Sequence, residues 1–280
     1  MKIKISLILC LAVILGLFSG CKADTVAEKP VIAVTIVPEA TFLSAVAGDD
    51  FEIITMIPPG ASPETYEPSP IDMASLENAS LYFSIGVPSE ESILKSLSSD
   101  TKVVALHKKT AAKYPDLTLD GGRDPHIWLC PERASFMVSL IAEELALFFP
   151  ENAQKYNQNA QNYINEISSA TKTAQNILET GGIRDFFVFH PSFQYFANYF
   201  SLNMYALEEH GKEATPKHLA QMVDLAEEKN IEVVFYQAEA SSRQAESFAK
   251  EIGAKAVKLE PLSADYTKNI IKMATAIAGE

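Results

Sequence analysis

Residues 151–179 read E-N-A-Q-K-Y-N-Q-N-A-Q-N-Y-I-N-E-I-S-S-A-T-K-T-A-Q-N-I-L-E, and this stretch decides how the chain is arranged. It lies between Pro150 and the pair Gly181-Gly182, so it predicts one helix about 45 Å long. Its apolar residues form a narrow stripe, while Gln and Asn fill most other positions. Because a heptad repeat is not sustained, a helix that crosses from one lobe to another is favoured over a coiled-coil strand.

Short apolar runs alternate with helical segments on both sides of this helix. Val31–Val37 is a continuous, largely β-branched run, typical of a strand buried on both faces. Strands that alternate with helices at this spacing predict parallel sheets covered by helices. We therefore expect an α/β fold with two parallel-sheet lobes, an N-terminal lobe over 31–149 and a C-terminal lobe over 183–280, joined by a single linking helix over 150–182.

The first twenty residues predict a secretory signal. Lys2 and Lys4 precede the apolar run Ile5–Phe18, which is too short for a permanent membrane anchor, and small residues follow it. The next residue is Cys21, and its context resembles the bacterial lipoprotein processing site. We expect Cys21 to be the lipidated N-terminus of the mature protein and residues 21–30 to be its tether. A plain secreted protein with a stray cysteine is the alternative.

The charge of the chain is strongly acidic. The formal net charge is −13, and it becomes −15 once Lys2 and Lys4 leave with the signal. A surface of this kind argues against nucleic acid as a partner and suits solubility or the attraction of cations. Cys130 is then the one cysteine left beside Cys21, so an internal disulfide is not expected.

Four polar side chains follow predicted strands, at the edge where parallel sheets bind their ligands. Glu64 lies in the proline-rich loop Pro58–Pro70, His126 lies in a later loop of the first half, and His190 and Glu260 each follow a strand of the second half. Two imidazoles and two carboxylates suit a divalent zinc, manganese or iron ion. A single histidine at a strand end is more often a hydrogen-bonded structural group, so the residues alone leave both interpretations open.

Longer motifs resemble the metal-binding solute-binding proteins of zinc and manganese ABC transporters, also called cluster 9. These motifs are P-G-A-S-P-E-T-Y-E-P-S-P at Pro59–Pro70, D-P-H-I-W-L at Asp124–Leu129, F-H-P-S-F-Q-Y-F from Phe189, G-K-E-A-T-P-K-H-L at Gly211–Leu219 and L-E-P-L at Leu259–Leu262. The resemblance covers essentially all of the mature chain. It implies two α/β lobes bridged by a rigid helix, with the metal in the cleft between the lobes.

The resemblance also implies a ligand set. His126 matches the second ligand of the family, and His190 matches the third, which is His in zinc members and commonly Glu in manganese members. Glu260 falls where the family usually has an aspartate ligand, and Glu64 falls where it usually has histidine. Cys130 replaces an aspartate that usually follows W-L, and we expect it to be a small, half-buried residue rather than a ligand.

The function implied is that of a binding protein, not an enzyme, which captures a divalent metal and delivers it to an ABC-transporter permease. Zn²⁺ is the expected ion because of His190, and the two carboxylates keep Mn²⁺ or Fe²⁺ as alternatives. We expect an exported monomer, lipid-anchored at the outer face of the cell membrane or in the periplasm. A metal-dependent hydrolase is disfavoured because the sequence has neither H-E-x-x-H nor a nucleophile elbow. An adhesin is a further alternative that is compatible with lipidation.

Overall fold

The computed structural model describes residues 29–119, 121–208, 214–239 and 242–279. The predicted signal and Cys21 lie outside these ranges, so lipidation stays a prediction. Within the described ranges, every helix is either too short or too polar to cross a membrane.

The first half of the chain forms a sheet of four parallel strands in the order β2-β1-β3-β4. The strands are β1 Val31–Val34, β2 Glu52–Thr55, β3 Ala79–Ser84 and β4 Lys102–Ala105. Strand β1 lies inside the sheet, and Ile32, Ala33 and Val34 are fully buried, which confirms a strand in the apolar run Val31–Val37. The strand ends at Val34, and helix α1 begins at Val37. The helices of this half are α1 Val37–Ala47, α2 Pro70–Ser75, α3 Glu90–Ser96, α4 Leu106–Ala111 and α5 Pro131–Phe148.

The second half forms another four-stranded parallel sheet, in the order β10-β9-β7-β8. Its strands are β7 Asp185–Val188, β8 Asn203–Ala206, β9 Val233–Gln237 and β10 Lys255–Leu259. Its helices are α7 Gln194–Tyr199, α8 Pro216–Glu228, α9 Ser242–Glu251 and α10 Tyr266–Ala278. Thr215 caps α8 by accepting a hydrogen bond from the backbone N–H of His218 at 3.2 Å, as expected of a Thr-Pro helix start.

One long helix, α6 Ala153–Gly181, joins the two halves. It packs against α1 and α5 of the first half and against α10 of the second. Its buried positions include Tyr156, Ala160, Ile167, Ala174 and Leu178, so the narrow apolar stripe is the face that packs. Gly182 ends the helix with a left-handed φ of 69°, a conformation that glycine adopts without strain. The predicted α/β fold with a single joining helix is therefore confirmed.

The small elements between β4 and α5 were not anticipated from the sequence. Helix α4 begins directly after β4, and the hairpin β5 Thr118–Leu119 with β6 Gly122–Arg123 follows it. A short 3-10 helix, Ile127–Leu129, then leads into α5. Helix α4 has six residues and no side-chain hydrogen bond at its start, so it lacks the capping signal by which a helix is recognised in a sequence.

Contacts between the halves hold the loops that carry the predicted site residues. The indole Nε1 of Trp128 donates a 2.9 Å hydrogen bond to the carbonyl of Pro261, and the hydroxyl of Tyr266 donates to the carbonyl of Trp128 at 2.7 Å. Thr41 Oγ1 donates to the carbonyl of Ala264 at 2.8 Å. The carboxyl ends of the two sheets thereby face each other across a narrow cleft.

Candidate metal centre

Three of the four predicted ligands meet in this cleft. Glu64, His126 and His190 each offer one ligand atom, and these atoms all lie within 4.8 Å of one another. Oε1 of Glu64 is 2.7 Å from Nε2 of His190 and 3.2 Å from Nε2 of His126. Two imidazole nitrogens and a carboxylate oxygen converging on one point are a suitable donor set for a divalent transition metal.

The proline-rich loop after β2 presents Glu64. Ser89 binds the carbonyl of Pro63, with its hydroxyl at 2.7 Å and its backbone N–H at 3.3 Å. The hydroxyl of Tyr66 donates to Oδ2 of Asp72 at 2.9 Å, which ties the far side of the loop to the start of α2. Glu64 therefore stands on a stiff loop whose backbone is fixed on both sides of it.

Asp124 orients the imidazole of His126. One of its oxygens, Oδ1, accepts the backbone N–H of His126 at 2.9 Å and lies 2.8 Å from Nδ1 of the same residue. With one proton held on Nδ1 by Asp124, the imidazole presents Nε2 towards Glu64, and this nitrogen can bind a metal once its own proton is lost. Trp128 packs beside this imidazole, with the ring centroids 5.4 Å apart.

Glu208 orients the imidazole of His190. Its Oε2 lies 2.6 Å from Nδ1 of His190, on the opposite side of the ring from Glu64.

Sequence reasoning did not single out Asp124 or Glu208 as functional residues. Glu208 lies two residues after β8, and Asp124 begins the D-P-H-I-W-L motif, two residues before His126. The position of Glu208 after a strand and that of Asp124 beside a candidate ligand were the signals that could have identified them.

The three converging groups change one another's protonation. Burial raises the pKa of Glu64, but hydrogen bonds with His126 and His190 outweigh that effect and hold the pKa of this carboxyl far below its usual range. Burial lowers the pKa of His190, but Glu208 and Glu64 raise it to about 9. Burial also lowers the pKa of His126, and the bonds with Asp124 and Glu64 raise it above its ordinary value. At neutral pH His190 is protonated and forms an ion pair with Glu64.

The structure does not bring Glu260 into this group. Its two carboxylate oxygens lie 3.0 Å from Nζ of Lys258 and 2.9 Å from Nζ of Lys272. These lysines lower the pKa of Glu260, so the carboxylate is charged and already paired. To reach the ion it would have to leave both partners, and its role as a ligand stays a prediction. Cys130 is buried at the start of α5, whereas the sequence predicted a half-buried residue.

The family described as zinc-uptake complex component A, periplasmic, matches residues 32–279. The chain belongs to this family. Its sequence is similar to the high-affinity zinc uptake system protein ZnuA of Bacillus subtilis (strain 168), with 27% identity over 265 residues, 86% of this chain and 81% of that protein. It is also similar to the zinc-binding lipoprotein AdcA of Streptococcus pneumoniae, with 28% identity over 92% of this chain. The chain spans only 55% of the length of AdcA.

Solved structures agree with this assignment. The fold is similar to a crystal structure of ZnuA, with a TM-score of 0.85 and 33% identity over 90% of this chain and 99% of that one. The periplasmic zinc-binding protein TroA of Treponema pallidum has the same fold, with a TM-score of 0.83 over 90% of this chain and 99% of that one at 18% identity. The family resemblance and the two-lobe architecture expected from the sequence are both confirmed.

Proposed function

We propose that this protein captures a zinc ion outside the cytoplasm and delivers it to the permease of an ABC transporter. The observation that carries the proposal is the convergence of Nε2 of His126, Nε2 of His190 and Oε1 of Glu64 within 4.8 Å. Family membership and the zinc-binding relatives support the same function. In this proposal Cys21 carries the lipid anchor, and the protein acts as a monomer.

The donor set favours zinc. Asp124 and Glu208 each take the Nδ1 side of one imidazole, so both histidines can present Nε2 to the same ion. Zinc binds imidazole nitrogen and carboxylate oxygen in small, closed coordination shells, which the buried rings and the stiff loop of Glu64 suit. Manganese and iron, which tolerate more oxygen ligands, are the alternative cargo.

Calorimetric titration of the chelated protein with zinc and with manganese tests the proposal. We expect zinc to bind at one site with micromolar or tighter affinity, and His126→Ala or His190→Ala to abolish that binding. His218→Ala is the matched control, because His218 lies on α8 and its Nε2 contacts only the carbonyl of Ala206 among the described hydrogen bonds. A wild-type protein that binds neither metal would overturn the proposal.

The transport role needs a cellular measurement. Deleting the gene should impair growth when zinc is chelated, and added zinc should restore it. Complementation with the His190→Ala gene should fail, whereas the His218→Ala gene should succeed. Growth that does not depend on zinc supply in the deletion strain would contradict delivery to a transporter.

A further inference from the structure

We propose that Glu239 is a further ligand of the captured ion, contributed by the C-terminal half in the position that the family resemblance would give to Glu260. This inference rests on the proposed function, because it assigns another residue to the same site. It follows from the position of Glu239, the cavity that it faces, the unpartnered oxygen of its carboxyl group and the number of ligands in the site.

Glu239 lies two residues beyond β9, at the sheet edge where His190 and Glu260 also stand. The backbone N–H of Ala238 donates to the carbonyl of Leu259 at 2.9 Å, so the pairing of β9 with β10 extends to the residue directly before Glu239. The backbone of Glu239 is therefore held in place beside the loop of Glu260, and only the side-chain rotamer can vary.

The side chain of Glu239 lines the same small cavity as two of the converging ligands. The cavity has a volume of about 10 Å³, and it is walled by Pro63, Glu64, His126, Trp128, Gln237, Glu239, Pro261 and Leu262. A space of this size is close to the limit for a single water molecule, so it suits one small ion and excludes organic ligands. Glu239 thus faces Glu64 and His126 across a space that a metal ion can fill.

One oxygen of the Glu239 carboxyl group is buried without a hydrogen-bond partner among the described residues. Its Oε2 is buried and accepts no hydrogen bond from any residue that the structure describes. An unpartnered buried carboxyl oxygen is unfavourable, and a divalent cation in the adjoining cavity would supply the missing positive charge.

Both carboxylate oxygens of Glu260, unlike Oε2 of Glu239, already have partners. Its two oxygens are paired with Lys258 and Lys272, and its side chain is about one-third exposed. Binding a metal through Glu260 would break two ion pairs, whereas binding through Glu239 breaks none that the structure describes. Of the two neighbouring acids, Glu239 is the one with an unused buried oxygen.

The number of ligands also favours a second carboxylate. His126, His190 and Glu64 supply three ligands, whereas closed zinc sites use four. Glu239 completes a set of two nitrogen and two oxygen ligands. Each half of the chain then contributes one histidine and one carboxylate. Because Glu239 stands outside the group within 4.8 Å, its side chain must turn towards the ion on binding.

Zinc titration of the purified wild-type protein, Glu239→Gln and Glu260→Gln tests this assignment. Glutamine keeps the size of the side chain and removes the charge. We expect Glu239→Gln to weaken zinc binding by at least the ~10–100-fold that loss of an outer-shell partner typically causes. Glu260→Gln should change the affinity by less than about threefold, as expected of a surface ion-pair residue.

A second readout separates ligation from damage to the fold. The melting temperature of metal-free Glu239→Gln should equal or exceed that of the wild type, because a buried carboxyl without a partner has been removed, while the rise in melting temperature on adding zinc should shrink. A crystal structure of the zinc complex should show a carboxylate oxygen of Glu239 at about 2.0–2.2 Å from the ion.

The outcomes are distinct. Wild-type affinity in Glu239→Gln, or a zinc complex in which Glu239 stays away from the ion, overturns the assignment and leaves the proposed function standing. A loss confined to Glu260→Gln overturns it in favour of Glu260. If the wild-type protein binds no zinc at all, the proposed function is overturned, and the assignment of Glu239 as a ligand is overturned with it.

Discussion

Nε2 of His190 and Oε1 of Glu64 lie 2.7 Å apart, although the two residues belong to different halves of the chain. This bond links the proline-rich loop of the first sheet to the end of β7 in the second. Under the proposed function, an arriving cation would take the place of the shared proton between the two atoms. The candidate ligands already lie together, and helix α6, which packs on both halves, opposes a large opening of the cleft.

Glu64 is the first residue to test, because it stands where the family usually has histidine. Glu64→Ala should weaken zinc binding by at least about tenfold, since it removes a charged ligand and leaves His190 without its partner. Glu64→His should bind zinc well, because an imidazole suits the same ion. Calorimetry of both variants provides the measurement. An unchanged zinc affinity in Glu64→Ala would show that another group binds the ion in place of Glu64.

The stability of the metal-free protein should fall as pH rises from about 6.5 to 9. The pKa of His190 is raised in the folded state to about 9, whereas an unfolded histidine has a pKa of about 6.5. The folded state therefore binds more protons in this window. The stabilisation is fully present below pH 6.5 and is lost as pH rises through 9, with an upper limit of about 3 kcal/mol.

Urea unfolding of the chelated protein at several pH values measures this dependence. His190→Gln should flatten the decline between pH 6.5 and 9, and His218→Gln, which alters a histidine of α8, should not. A free energy of unfolding that rises with pH across the same window would contradict the assigned protonation of His190.

Zinc binding near pH 7 should release protons. A metal binds the unprotonated imidazole, whereas the pKa of His190 is held at about 9 by Glu208 and Glu64 against the opposing effect of burial. Binding at neutral pH must therefore expel about one proton from this ring. Titrations in two buffers with different heats of ionisation give the number directly. Equal apparent binding enthalpies in both buffers would mean that no proton leaves.

Glu208 should matter for metal binding without touching the ion. Its Oε2 lies 2.6 Å from Nδ1 of His190 and fixes the orientation of that ring. Glu208→Gln should reduce zinc affinity by ~10–100-fold, the range typical of groups that orient a metal-binding histidine. It should also lower the pKa of His190, which NMR titration of the metal-free protein can follow. Glu228→Gln is the matched control, because the side chain of Glu228 is 72% exposed. Equal affinities in the two variants would exclude an orienting role.

Gly182 should contribute to the end of the long helix through its backbone alone. Its φ is +69°, and a Cβ at this position would meet no atom within 4 Å. Gly182→Ala should therefore lower the free energy of unfolding by about 1 kcal/mol, the strain of a left-handed conformation. In Gly122→Ala, where an added Cβ would come no closer than 3.7 Å to another atom and the backbone is ordinary, the loss should be smaller. Urea unfolding compares the two, and equal losses would contradict the role given to the left-handed conformation.

Much of this protein follows from local sequence patterns. Helix α6, the cap Thr215 and strand β1 were predictable because helix periodicity, capping and apolar runs act within a few residues. Glu64, His126 and His190 were also predictable as residues that follow strands, since the carboxyl ends of parallel strands share one edge. The length and place of the long helix further predicted that two lobes would meet.

The tertiary structure alone decided what each acid near the candidate site faces. Asp124, Glu208, Glu239 and Glu260 all stand near strand ends or ligands, and their sequence contexts do not separate them. Asp124 and Glu208 turn towards the imidazoles, Glu239 faces the cavity, and Glu260 pairs with two lysines. The direction of a carboxylate depends on the charges that packing places around it, and one of those charges, Lys272, comes from a helix that follows in the chain. Sequence determined where the acidic groups stand, and three-dimensional packing determined what each of them faces.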